Sequence, residues 1–117
     1  MSNSRKETGK AGELLAAEFM AEKGFVILER NFRRGKGEID LICKKGDLLV
    51  IVEVKTRSGT SFGYPEESVS ESQAEAIIAV ATEYMEEHNW DDRVRYDIIS
   101  VEIGKKPRLH HFRDAFY

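Results

Sequence analysis

The 117-residue sequence predicts an α/β domain, a mixed β-sheet of about five strands flanked by two helices. Three observations predict it. Residues 6–23 and about 68–88 repeat apolar side chains at helical spacing. Between them, GEIDLIC and DLLVIVEVKT surround the turn-forming Lys44-Lys45-Gly46-Asp47, the pattern of a β-hairpin. The resulting order of helix, strand, hairpin, helix, strand, strand interleaves the two periods, as helices layered on a mixed sheet require.

The first helix carries Ala11, Leu14, Leu15, Phe19 and Met20 as its apolar stripe. Gly24, following Lys23, suits the left-handed position that ends helices. Residues 25–28 predict a short buried strand, followed by the basic stretch Arg30, Arg33, Arg34 and Lys36. In the hairpin, pairing Lys44 with Asp47 makes paired positions sum to 91, and side-chain alternation then assigns two faces. Ile39, Leu41, Cys43, Leu48, Val50, Val52 and Val54 form a wholly apolar face. Lys36, Glu38, Asp40 and Ile42 share the other with Leu49, Ile51, Glu53 and Lys55. A one-residue slip would mix charges into the apolar side. Residues 58–69 hold two glycines and a proline with no period, and predict a loop. Ser68 and Glu71 fit a capping box for the second helix, whose stripe is Ala74, Ile77, Ile78, Ala81, Tyr84 and Met85 up to about His88. Residues 96–101 read as a strand and 108–112 as an edge strand, separated by a turn at 104–107.

With 41% hydrophobic and 33% charged residues, the chain reads as a single globular domain over 1–117. No apolar stretch approaches the roughly 20 residues that span a bilayer, and the polar start lacks a signal-peptide core. A cytoplasmic protein without a membrane partner is the expectation. The lone Cys43 excludes an internal disulfide and a thiolate zinc site, and its place on the apolar face makes it core. The net charge of −3 hides a segregation. Residues 1–57 carry 12 Lys and Arg against 9 Asp and Glu, residues 58–92 carry 9 acids and no Lys or Arg, and residues 93–117 return to +3. A basic, phosphate-compatible surface can therefore coexist with an acidic one.

The hairpin holds the candidate chemistry. In the assumed register Glu38 lies opposite Glu53, and Asp40 is its diagonal neighbour, about 7–8 Å away at the backbone. Two such carboxylates suit Mg²⁺, which keeps several waters for a phosphate substrate. Lys55 points to the same face, where an ammonium could neutralise charge developing on phosphorus or orient water. Patterning leaves a second reading open, a solvated face whose charges pair with one another at about 0–1 kcal/mol each. Glu13 sits on the first helix among Gly9, Ala16 and Ala17, small residues that permit close approach to the sheet. It could reach the same site, or pair with Lys10 or solvent. Basic residues beside the hairpin, Arg30, Arg33, Arg34, Lys36 and Arg57, offer phosphate contacts. Arg57, Phe62 and Tyr64 open a loop that could gate a substrate. Adjacent His110 and His111 point to opposite faces of a strand and make a poor chelating pair. Tyr84 and Trp90 read as packing residues.

The segments GKAGE at 9–13, GEIDLI at 37–42, VEVKTR at 52–57 and RYDIISV at 95–101 resemble the YraN family of bacterial proteins. That family is similar to archaeal Holliday-junction resolvases within the restriction-endonuclease-like PD-(D/E)XK superfamily. The resemblance covers nearly the whole chain and implies a restriction-endonuclease-like fold. It implies Asp40 and Glu53 as metal-binding carboxylates, Lys55 as the catalytic lysine and Glu13 as an additional acid, with Glu38 second to Asp40. The implied function is a Mg²⁺- or Mn²⁺-dependent DNA endonuclease acting on branched or structured DNA, and a homodimer would suit paired cuts. The alternatives are a non-catalytic nucleic-acid-binding module and a protein-interaction domain that keeps the fold. One departure is that Ser72-Gln73-Ala74-Glu75, where such proteins commonly present basic residues, has none, although Gln73 could neighbour the site.

Overall fold

The computed structural model describes residues 4–58 and 69–116. Along the chain run α1 (Ser4–Glu22), β1 (Val26–Arg34), β2 (Gly37–Lys45), β3 (Leu48–Ser58), α2 (Glu71–Glu87), β4 (Arg93–Ile103) and β5 (Arg108–Phe112). The strands form one sheet in the order β1-β2-β3-β4-β5. Every neighbouring pair is antiparallel except β3 and β4, which are parallel. A parallel neighbour demands a crossover, and α2 lies in that connection. The expected α/β architecture of two helices on a mixed five-stranded sheet is therefore the observed one.

The layers follow from β3, the central strand, which is apolar in both directions. Val50, Val52 and Val54 pack with Ala16, Ala17 and Met20 of α1, whereas Leu49 and Ile51 pack with Ile77, Val80, Ala81 and Tyr84 of α2. A strand covered on both sides carries such a continuous apolar run. Close approach needs small residues on each side. A methyl group at Gly12 of α1 would collide with the Thr56 side chain of β3, and one at Gly37 would collide with Val80 of α2. The small-residue face of α1 thus meets the sheet closely, as its sequence suggests. No helix among the described residues is long and apolar enough to cross a membrane.

Four local expectations are corrected. The hairpin pairs Lys45 with Leu48 and Leu41 with Val52, so paired positions sum to 93 rather than 91. The turn is the two-residue Gly46-Asp47, with Gly46 at φ +60°, and glycine makes that tight connection possible. Because a shift of two preserves side-chain faces, Leu41, Cys43, Val50, Val52 and Val54 keep the α1 side, and Ile42, Leu49 and Ile51 the other. Ile39 packs with Ile42 toward α2, not with Leu41 and Cys43 toward α1, so alternation breaks between positions 39 and 42. The first strand is nine residues long and takes in Arg30, Arg33 and Arg34. It is an edge strand, and a register shift between Ile27 and Glu29 accompanies the exposure of Val26 and Leu28, which the sequence reading buried. Helix α2 is capped by Ser70, whose Oγ accepts the Gln73 N–H at 3.1 Å, rather than by a box of Ser68 and Glu71. Ser68, like Phe62, Tyr64 and the rest of 59–68, lies outside the described residues.

The packing readings of Cys43 and Tyr84 hold. Cys43 is buried in the α1 cluster, and burial pushes its thiol up to about 12. Tyr84 is buried on α2 and meets Phe32 edge-on at 5.1 Å. Trp90 packs against the same cluster while its indole N–H donates to the Arg93 carbonyl at 3.0 Å.

Candidate active site at a fork between two strands

The β2–β3 ladder ends at Leu41 and Val52. One residue further, the Asp40 side chain takes over, its Oδ2 accepting the Val54 N–H at 2.8 Å. Continuing the sum of 93 sets Asp40, and not Glu38, across from Glu53, which corrects the expected pairing. The two carboxyl groups lie close enough for each to act on the ionisation of the other. Glu53 is only 8% exposed, and its Oε2 is the focus of the site. Gln73 Nε2 of α2 donates to it at 2.8 Å, and Lys55 Nζ lies 3.4 Å away. The chain thus brings Asp40, Glu53 and Lys55 together, with Gln73 as the polar neighbour that the sequence allows.

Burial and like charge set the electrostatics. Burial first, and then the Glu53 charge, push Asp40 up to about 8. Burial also raises Glu53, against the opposing pull of the Lys55 charge and of the neighbouring Asp40 carboxyl. Two carboxylates in one fork cannot both be charged cheaply, so the ionisation of the pair is displaced upward. Glu13, half-buried on α1, is raised by burial and then by Asp40, which marks it as a member of the same acidic field.

Asn31 ties this field together and was not singled out from the sequence. With its amide nitrogen turned toward the acids, it donates to Glu13 Oε1 at 3.1 Å and to Glu38 Oε2 at 3.2 Å. Its backbone is left-handed, φ +53°, in the middle of an edge strand. Asparagine tolerates that conformation better than most residues, which is the one signal the sequence carried. Glu38 also accepts from Arg33 Nη2 at 3.1 Å and belongs to the rim of the site.

The donor set fits Mg²⁺ or Mn²⁺. Asp40 and Glu53 supply hard oxygen ligands from facing strands, and their excess negative charge is of the kind a divalent cation relieves in place of a proton. No group of three or more His, Cys, Asp or Glu gathers as a ready metal cage among the described residues. Two carboxylates, with the remaining positions left to water and substrate oxygens, are what Mg²⁺ commonly takes.

The basic residues divide. Arg34 is engaged by Glu87 of α2 through two hydrogen bonds of 2.9 and 3.1 Å and lies over the Phe32 ring. Arg33 is paired with Glu38 but remains largely exposed. Arg30 is exposed on β1, Lys36 is exposed in the β1–β2 turn, and Arg57 is half-buried two residues past Lys55. Helix α2 carries no Lys or Arg, so the basic surface lies at the β1 side of the site. His111 and His110 are far from this chemistry in role. His111 contacts buried Asp97, while His110 is exposed.

Comparison with known proteins gives the chain its relatives. Residues 12–101 match the uncharacterised protein family UPF0102. A UPF0102 protein of Anaeromyxobacter dehalogenans is 40% identical over 97% of this chain and 87% of its own length. One from Rhodococcus opacus is 45% identical over 92% of this chain and 94% of its own. Another, from Clostridioides difficile, is 43% identical over 97% of this chain and 99% of its own. The expected resemblance is thereby met, and the chain belongs to the UPF0102 (YraN) family.

Proposed function

We propose that this protein is a divalent-metal-dependent deoxyribonuclease that hydrolyses phosphodiester bonds, with branched or structured DNA as its substrate class. The observation that carries the reading is the buried fork in which Asp40 meets Glu53, with Lys55 Nζ 3.4 Å from the Glu53 carboxylate. Asp40 and Glu53 would hold Mg²⁺ or Mn²⁺. Such an ion, when bound, supplies a Lewis acid to a phosphoryl oxygen of the substrate. Gln73 fixes one oxygen of Glu53, so the carboxylate is already oriented. Lys55 offers its ammonium to the charge that develops on phosphorus, or holds the attacking water in line. Glu13 and Glu38, held by Asn31, can accept the proton released as water attacks. Arg30, Arg33, Lys36 and Arg57 would contact the strand on either side of the scissile phosphate, whereas α2, which carries no Lys or Arg, would add no cation to it.

The test is cleavage of duplex, single-stranded, flap and four-way-junction DNA in Mg²⁺ or Mn²⁺, with Asp40→Ala and Glu53→Ala run beside the native chain. Metal-dependent cutting by the native chain that both substitutions abolish is expected. Cutting that survives both would come from a contaminant and would remove the assignment. Salt-sensitive binding without cutting would leave a non-catalytic nucleic-acid-binding module.

A further inference from the structure

A second cluster of polar groups lies on the α1 side of the sheet, around Asp97 of β4, which pairs in register with Val52 of β3, whereas Glu53 meets Gln73 of α2 on the other side. Asp97 of β4 is fully buried. It accepts Arg95 Nε and Nη2 at 2.9 Å each, the Asp114 N–H at 3.0 Å, and pairs with His111 Nε2 at 2.7 Å. That last contact directs Nδ1 of His111 outward, where it meets Lys23 Nζ at 3.0 Å. A lysine ammonium can only donate, so Nδ1 is the acceptor in this contact, and Nε2 is the atom that faces Asp97. Lys45 Nζ in turn donates to the Lys23 carbonyl at 2.8 Å, at the end of α1.

These groups border a cavity of about 420 Å³, lined by Lys23, Lys45, Arg95, His111 and Arg113, with Phe25 in its wall. Its lining contains no carboxylate. Asp97 answers the charge of Arg95, but Lys23, Lys45 and Arg113 form no ion pair among the described residues. Three cations from separate parts of the fold thus converge without an anion, and a buried carboxylate behind them spends its bonds on holding two of the lining residues in place. The volume lies within the range of small-molecule sites and exceeds what a single ion requires.

We infer that this cavity is a binding site for a phosphate group, carried either by a free small phosphate ester or by a nucleic-acid strand. Lys23, Lys45 and Arg113 supply the charge, and Arg95, fixed by Asp97, offers its remaining guanidinium edge. The site is distinct from the carboxylate fork. Lys45 stands five residues from Asp40 on the same strand, about 17 Å away at strand rise. Binding there needs no divalent ion, so the inference does not rest on the nuclease reading.

The experiment is amide NMR of the full chain in EDTA at constant ionic strength, titrated separately with inorganic phosphate, a nucleoside 5′-monophosphate and an oligonucleotide lacking a terminal phosphate. Saturable shifts at Lys23, Lys45, His111 and Arg113 are expected with inorganic phosphate. Exposed-residue variants Lys23→Gln and Arg113→Gln should each weaken binding by about five- to tenfold, while Asp40→Asn leaves it unchanged. Tighter binding of the mononucleotide would identify a small phosphate ester as the source, and tighter binding of the oligonucleotide would identify a strand. Absence of saturable shifts with all three, or shifts that neither variant weakens, would overturn the site.

Discussion

Asp40 Oδ2 accepts the amide hydrogen of Val54 at 2.8 Å, so a side chain closes the ladder at the point where β2 and β3 part. That oxygen satisfies a partly buried donor, and removing it leaves the N–H unpaired at a cost of about 1–3 kcal/mol. Asparagine keeps a carbonyl oxygen for Val54 while deleting the charge that opposes Glu53. Asp40→Asn should therefore be at least as stable as the native chain at pH 8, and Asp40→Ala less stable than Asp40→Asn by about 1–3 kcal/mol. Urea unfolding of the three proteins at that pH checks this. Coincident midpoints for the two variants would mean that the Val54 contact contributes nothing.

The same residue dictates a pH dependence. Its folded value of about 8 stands above the ordinary 3.8, and Glu53 is displaced in the same direction. A folded state that binds more protons than the unfolded one loses stability as pH rises. The contribution is complete below about pH 4, declines by at most about 1.4 kcal/mol per pH unit for one proton, and is gone above about pH 8. Thermal melts in EDTA from pH 5 to 9 should fall for the native chain and flatten for Asp40→Asn. Adding Mg²⁺ at pH 8 should raise the native melting temperature, because a cation then occupies the place of the lost proton. A native melting temperature that climbs through this range would exclude the upward displacement of the pair.

Asp97 acts in the opposite sense. Burial alone would raise its carboxyl, but hydrogen bonds from His111, Arg95 and the Asp114 N–H outweigh it and hold the group below the usual range. Its stabilisation is present above the unfolded value and disappears as pH falls through the folded one, so it governs acid unfolding below about pH 4. Asp97→Asn leaves Arg95 and His111 without their charged partner in a buried setting, and a loss of about 3–5 kcal/mol is expected. Equilibrium denaturation at pH 7 measures it, and a loss under about 1 kcal/mol, the level of an exposed pair, would show that the network is not a buried one.

The contact of Gly12 with Thr56 provides a double-mutant cycle. A Cβ at position 12 would overlap the Thr56 hydroxyl and methyl, which forces α1 away from β3 at a cost of about 1–3 kcal/mol for Gly12→Ala. Thr56→Ala removes the two closest atoms and leaves only the Thr56 Cβ at 2.9 Å, so the double variant should recover part of that loss, a positive coupling that independent sites would lack. Since Glu13 is the next residue, Gly12→Ala should also weaken any metal-dependent cleavage more than it weakens the fold.

The residues that were legible in the sequence share a cause. Strand periodicity is two, so the faces of Asp40, Glu53 and Lys55 were readable even with the register two positions out. The pairing of Asp40 with Glu53 was not readable, because it follows from whether the two-residue turn is Lys45-Gly46 or Gly46-Asp47, and Gly46 suits either place in a tight turn. Ile39 escaped for a related reason. Alternation predicts faces only while the ladder is regular, and it breaks at the fork itself. Beside the near neighbours Glu38 and Arg95, Asn31 has a partner 18 residues away, Glu13, and Asp97 one 14 residues away, His111. No local pattern encodes such pairings. The edge position of β1 was equally hidden, since Val26 and Leu28 look like buried residues until the sheet order is known.

Partner geometry separates the basic residues into two classes, and DNA binding should divide the same way. Arg34 is held by Glu87 and stacked over Phe32, so its guanidinium is committed to α2. Arg30 and Lys36 are exposed on β1 and in the turn beside the site, outside any such ion pair among the described residues. If a strand crosses the fork from this side, each contributes one phosphate contact and releases one counterion. Arg30→Ala and Lys36→Ala should then weaken DNA binding at low salt and reduce the slope of log K against log salt by about 0.9 each, whereas Arg34→Ala should change neither. Fluorescence anisotropy with a labelled four-way junction in Ca²⁺ or EDTA, across a salt series, reads both quantities without cleavage. Equal slopes for all four proteins would place the strand elsewhere and detach the basic edge from the proposed function, while a reduced slope for Arg34→Ala alone would reverse the division drawn from Glu87.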